Sequence, residues 1–168
     1  MKKFLLAAAV FIAIFLLPGC NSSTDDPDYS DSIVTIISVE PMPFCSVPLP
    51  DANQVYHDDN ATFTFSNQPR NIDAEGTFYN DVVLNRYVVS YSGGVAPSFS
   101  QNISVRVPSG GTAQFSTVVV RAVDKMAGYF TPGVDVDTTV IFYGKDVAGE
   151  DVQTSVLFTI NFRDICGG

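Results

Sequence analysis

A single histidine, His57, stands in the run Tyr56-His57-Asp58-Asp59. An imidazole beside a carboxylate is the smallest arrangement that can act as a general base or as part of a metal site. Zinc needs three or four suitably spaced ligands. A nucleophilic triad needs a marked serine, and the chain has no Gly-x-Ser-x-Gly elbow. The plainer expectation for His57 is a solvated loop side chain. The carboxylates cluster as Asp58 with Asp59, Asp135 with Asp137, and Asp146 with Glu150 and Asp151. Paired carboxylates can hydrolyse glycosides, but no spacing here singles out one pair. Asp135-x-Asp137 is a fragment of a calcium pattern without the rest of the loop. The turn preference of Asp accounts for most of these residues; a structural calcium near Asp135 or in the turn at 145–151 is the sharper alternative. No catalytic or metal-binding residue is assigned.

Recognition chemistry has better candidates. Phe44, Tyr56, Tyr129 and Phe130 fall between the strand-like runs, and loop aromatics are the usual anchors of binding surfaces. With His57 and Lys125 they form the candidate binding set, and Lys125 to Thr131 is the best contact loop. The plainer expectation is that Tyr129 and Phe130 fold back as a plug at the end of the domain. Asn60-Ala-Thr and Asn102-Ile-Ser match the glycosylation sequon.

The elements that must position these residues are strands. Ala61, Phe63 and Phe65 alternate with Thr62, Thr64 and Ser66. Ile103, Val105 and Val107 alternate with Ser104 and Arg106, and Val156, Phe158, Ile160 and Phe162 with Ser155, Leu157, Thr159 and Asn161. Period two places one set on a core face. Runs 82–91 and 113–123 are more continuously apolar, as in strands covered on both sides. No segment carries helical spacing over three turns, so little helix is expected. Strands are expected at 33–39, 60–66, 82–92, 101–107, 113–123, 136–144 and 152–163. Between them lie Asn67-Gln68-Pro69, Gly93-Gly94, Pro108-Ser-Gly-Gly111, Pro132-Gly133 and Ala148-Gly149. Seven strands over 33–168 resemble an immunoglobulin-like or fibronectin-like sandwich, an all-β antiparallel fold. The hairpin from Thr138 to Phe162 is similar to the last two strands of bacterial immunoglobulin-like modules. There is no tryptophan and no cysteine pair on the second and sixth strands, so the antibody-type pin is absent.

The first twenty residues differ from the rest. Lys2 and Lys3 precede an unbroken apolar run from Phe4 to Leu17, then Pro18, Gly19 and Cys20. The run is short of the roughly 20 residues a membrane-spanning helix needs and suits a signal-peptide core. Leu17-Pro18-Gly19-Cys20 resembles the lipobox of bacterial lipoproteins. That resemblance implies cleavage before Cys20, a diacylglyceryl thioether on it and attachment to a membrane through lipid. Asn21 in place of Asp implies the outer membrane if the cell is Gram-negative. No cofactor is expected beyond that covalent lipid. Residues 20–32 then form the lipidated cysteine and an acidic tether with almost no apolar side chains.

Loss of residues 1–19 leaves 149 of 168 residues, enough for one domain. It removes two of nine basic residues and none of the eighteen acidic ones, taking the formal charge from −9 to −11. Nucleic acid, which selects basic stripes, is excluded as a partner. If Cys20 carries lipid, Cys45 and Cys166 are an even pair in an oxidising compartment and are expected to bond. Parity agrees: six connections separate the ends of the first and last strands, so both cysteines lie at one end of a seven-strand sandwich. Loops 40–59, 93–100 and 124–135 should share that end, away from the tether, and loops 67–81, 108–112 and 145–151 the other. Together these features predict a lipid-anchored envelope protein whose non-catalytic sandwich binds an envelope protein or polysaccharide, or serves structurally. The alternatives are a small hydrolase of carbohydrate or ester using loop carboxylates or His57, and an assembly subunit pairing by edge strands.

Overall fold

The computed structural model describes residues 30–70 and 80–166. The expected signal peptide, Cys20 and most of the tether lie outside the described residues. Among the described residues there are eight strands: β1 (Ser32–Glu40), β2 (Phe44–Ser46), β3 (Asp59–Pro69), β4 (Val82–Tyr91), β5 (Phe99–Val107), β6 (Thr112–Val120), β7 (Asp135–Asp146) and β8 (Asp151–Phe162). One short helix, α1 (Ala122–Met126), and a 3-10 turn at Ser92–Gly94 complete the described elements.

The strands form two sheets, one of three in the order β1-β3-β6 and one of five in the order β2-β8-β7-β4-β5. All neighbours are antiparallel except β2, which runs parallel to the end of β8 and pairs Phe44 with Ile160 and Ser46 with Phe162. The chain crosses from one sheet to the other between β1 and β2, through Pro41 and Pro43, both preceded by cis peptide bonds. Strand β2 falls inside the expected loop at 40–59 and is the strand beyond the seven expected. Three prolines in residues 41–48 obscure it, because a run of only three residues between breakers carries no readable alternation.

The core is the alternating set that period two predicts. Phe63 and Phe65 of β3 meet Phe142 of β7 edge-on, with ring centroids 5.0 and 4.9 Å apart. Tyr87 of β4 lies 5.8 Å from the same ring. Each such fully buried side chain contributes roughly 1.5–3 kcal/mol of transfer free energy. Two tyrosines of β4 also tie the sheets together by hydrogen bonds. The Tyr91 hydroxyl donates to the Val119 carbonyl at 2.7 Å, and the Tyr87 hydroxyl lies 2.8 Å from Gln101 Oε1 and 3.1 Å from the Val118 carbonyl. Burial pushes both phenols above their ordinary pKa, so they stay protonated donors.

The loops sort to the ends that the parity argument assigns. At one end Asp58, Asp59, Ala122 and Lys125 are in contact, and Cys45 is bonded to Cys166. At the other, Ser30 bonds Asp146, Ser32 bonds Asn80, and Asp81 accepts from Ser109. The last residues of the expected tether are therefore packed against the domain. Ser30 and Ser32 are each 5 % exposed, because short hydroxyls can satisfy local backbone and carboxylate partners where a long polar side chain could not.

Candidate functional site

The end carrying the disulfide is closed by α1 and the segment after it. Strand β6 stops at Val120, three residues before the expected end. Asp58 reaches across and accepts the Ala122 amide at 2.6 Å, meeting an amide that the first turn of a helix leaves without an intrahelical partner. Arg121 and Asp124, three apart, form a two-pronged pair at 2.7 and 2.8 Å. The local Arg121–Asp124 pair and the long-range Asp58 bond together override the β propensity of a run that reads as one strand.

Three of the six candidate binding residues are not available to a partner. Phe44 is 1 % exposed, sits on β2 and packs 5.8 Å from Phe158, because β2 turns its alternate side chains inward. Phe130 is buried, stacked at 4.4 Å on Phe162 and edge-on at 5.2 Å to Tyr91. It is the end plug, whereas Tyr129 remains 44 % exposed. Lys125 is also buried; its ammonium meets Asp59 at 2.7 Å, and Ser46 donates to the same carboxylate oxygen. An unpaired ammonium could not be held there. Replacing Lys125 with Met should therefore cost about 2 kcal/mol, somewhat below the usual loss on breaking a fully buried pair, since Asp59 keeps some access to water. Adding Asp59→Asn should recover part of the loss, and urea denaturation of the two variants measures both. An unchanged midpoint in K125M would refute the contribution of the pair.

His57 and Tyr129 are exposed and Tyr56 is half-buried. His57 does not engage Asp58. Its Nε2 lies 3.0 Å from Asp51, whose other oxygen accepts the amides of Asn53 and Val55 at 2.8 and 3.0 Å. The His57 bond and then the Val55 amide lower the Asp51 pKa to about 2. The pair is a turn staple, with no reactive serine in contact with the imidazole among the described residues. The other acidic clusters are engaged in pairing: Asp135 with Arg163 at 2.7 Å, Asp137 with Thr159 at 2.7 Å and Asp151 with Lys145 at 2.8 Å. Among the described residues no three His, Cys, Asp or Glu side chains are grouped to share an ion.

The expected contact loop at 125–131 includes Met126 but leaves out Val123, its neighbour on the outer face of α1. Val123 is 52 % exposed and Met126 66 %. They stand three apart, so they share a helix face, while Asp124 and Lys125 between them point inward. That spacing is visible in residues 121–126, but a five-residue helix is too short for periodicity to reveal. Val55, on the loop that Asp58 ties to α1, is also exposed.

No family model matches the chain. No curated protein sequence matches it either. Among solved structures, the chain is similar to Spo0M, a sporulation control protein from Bacillus subtilis. The identity is 11 % and the TM-score 0.38, over 80 % of this chain and 50 % of that one. The chain thus spans about half the length of that protein, and a likeness of this degree carries no argument about function.

Proposed function

We propose that the protein is a lipid-anchored, non-catalytic binding module of the cell envelope that meets its partner with the end formed by α1 and the loop at 51–58. The sheet order, β1-β3-β6 facing β2-β8-β7-β4-β5, supports the immunoglobulin-like reading, in which end loops serve as contact surfaces. The observation that carries the proposal is the build of the end cap. Asp124, Lys125 and Phe130 anchor it from beneath, while Val123, Met126 and Tyr129 project outward. Rigid presentation of large apolar side chains lowers the ordering cost of binding. The partner is an envelope protein or polysaccharide, and the acidity of the chain weighs against nucleic acid. The anchor rests on Leu17-Pro18-Gly19-Cys20.

The test is a photo-crosslinking amino acid placed at Met126 in the native host, with Leu157, exposed in the middle of β8, as the control position. A discrete adduct from position 126, lost when Val123 is changed to Asp, is the expected result. Identical adducts from both positions, or none from 126, would sink the reading.

A further inference from the structure

Seven Lys and Arg residues lie among the described residues. Five of them are in ion pairs: Arg106 with Asp81, Arg121 with Asp124, Lys125 with Asp59, Lys145 with Asp151 and Arg163 with Asp135. The other two, Arg70 and Arg86, have no carboxylate partner among the described residues. Both line the same groove, of about 670 Å³. In a chain with eighteen acidic and nine basic residues, two arginines lining one concavity with no described carboxylate on either are unexpected on charge alone.

The groove opens at the end opposite α1, where the starts of β1 and β8 approach the bulge of β4. The register of β4 slips between Leu84 and Arg86 against both neighbours. This carries Arg86 over the Tyr143 ring, 4.4 Å from its centroid, an arrangement that holds the guanidinium in place while leaving its edge donors free. Asn85 and Gln153 also line the groove and add amide donors. The one carboxylate in the lining, Asp151, is already engaged by Lys145. Arginine forks bind phosphate through parallel charge-assisted hydrogen bonds, and a phosphate has oxygens enough for two forks where a carboxylate is satisfied by one.

We propose that this groove binds a phosphate group through Arg70 and Arg86, borne either on a lipid headgroup or on a soluble phosphorylated sugar or polyol. The site is separate from the α1 surface and does not depend on it.

The experiment follows backbone amide shifts of the full chain in neutral detergent micelles. Three probes are titrated: inorganic phosphate, glycerol 3-phosphate, and phosphatidylglycerol doped into the micelles. Saturable shifts at Asn85, Arg86 and Gln153 are expected, with affinity reduced at least about tenfold in R70Q/R86Q. The control, R163Q, removes one positive charge near the disulfide and should leave affinity unchanged. Saturation by glycerol 3-phosphate points to a soluble ligand, and saturation by the doped lipid alone to a headgroup. Shifts that never localise to the groove, or that R163Q weakens as much as the double variant, would overturn the site.

Discussion

Reduction of the Cys45–Cys166 bond, or Cys166→Ser, is expected to lower the unfolding free energy by roughly 4 kcal/mol, below the figure of about 4–5 that chain entropy alone gives for so long a loop. The two cysteines are separated by 121 residues, so the bond encloses nearly the whole domain and removes many extended states from the unfolded chain. It also works locally. It joins β2, a three-residue strand held to β8 in parallel, to the segment that follows β8. Without it β2 is held by the Phe44 contact, the Ser46 bond to Asp59, the Arg163 amide on the Ser46 carbonyl and its short ladder to β8. Fraying that loosens the Ser46–Asp59 bond should reach the Lys125–Asp59 pair and the end cap through the shared carboxylate. Urea denaturation with and without reductant measures the total, and hydrogen exchange at Phe44 to Ser46 measures the local part. A midpoint unmoved by reductant would show that the bond constrains neither state.

How far the sequence is legible depends on how each residue's role is encoded. The long strands are readable because apolar residues recur at period two, Ala61, Phe63 and Phe65 on β3 and Val156, Phe158, Ile160 and Phe162 on β8, in runs of eleven and twelve residues. Their number decides the end at which each loop lies, and the pairing of Cys45 with Cys166 survives the eighth strand because β2, parallel to β8, runs on in the direction of β1. What is not readable is held by contacts distant in sequence. Nothing near Phe44 signals that it will run beside Ile160, and nothing near Ala122 signals that Asp58 will cap it. The candidate surface suffers for the same reason. Aromatic residues between strands read as contact residues, yet Phe44 and Phe130 fill the end of the core. Val123 and Met126 are exposed instead, on a helix that a long-range bond from Asp58 helps to form. The Arg70–Arg86 groove is invisible for a third reason: it depends on a bulge, and a one-residue slip in β4 leaves no trace in composition.

That bulge is also where a single methyl group should do most damage. Gly144→Ala is expected to cost at least about 3 kcal/mol, the upper end of the range for forced overpacking. Gly144 lies on β7 in the middle of the five-stranded sheet, paired with Leu84 on one side and Val152 on the other. A Cβ at this position would stand 2.4 Å from the Val83 carbonyl oxygen and 2.8 Å from the Leu84 Cα. Both are backbone atoms of a strand hydrogen-bonded on both edges, so neither can retreat without breaking a ladder. The cost is steric, because the Gly144 backbone is not in the left-handed region. Gly149 supplies the contrast. It has φ +93°, and a methyl group there would meet nothing within 4 Å, so Gly149→Ala should cost only the conformational penalty of about 1–2 kcal/mol. Thermal or urea unfolding of the two variants separates the mechanisms, and equal losses would refute the steric account. The bulge also carries Arg86 to the groove. Any folded G144A molecules must move Val83 and Leu84 and so displace Arg86, and phosphate affinity should fall in G144A while G149A retains it.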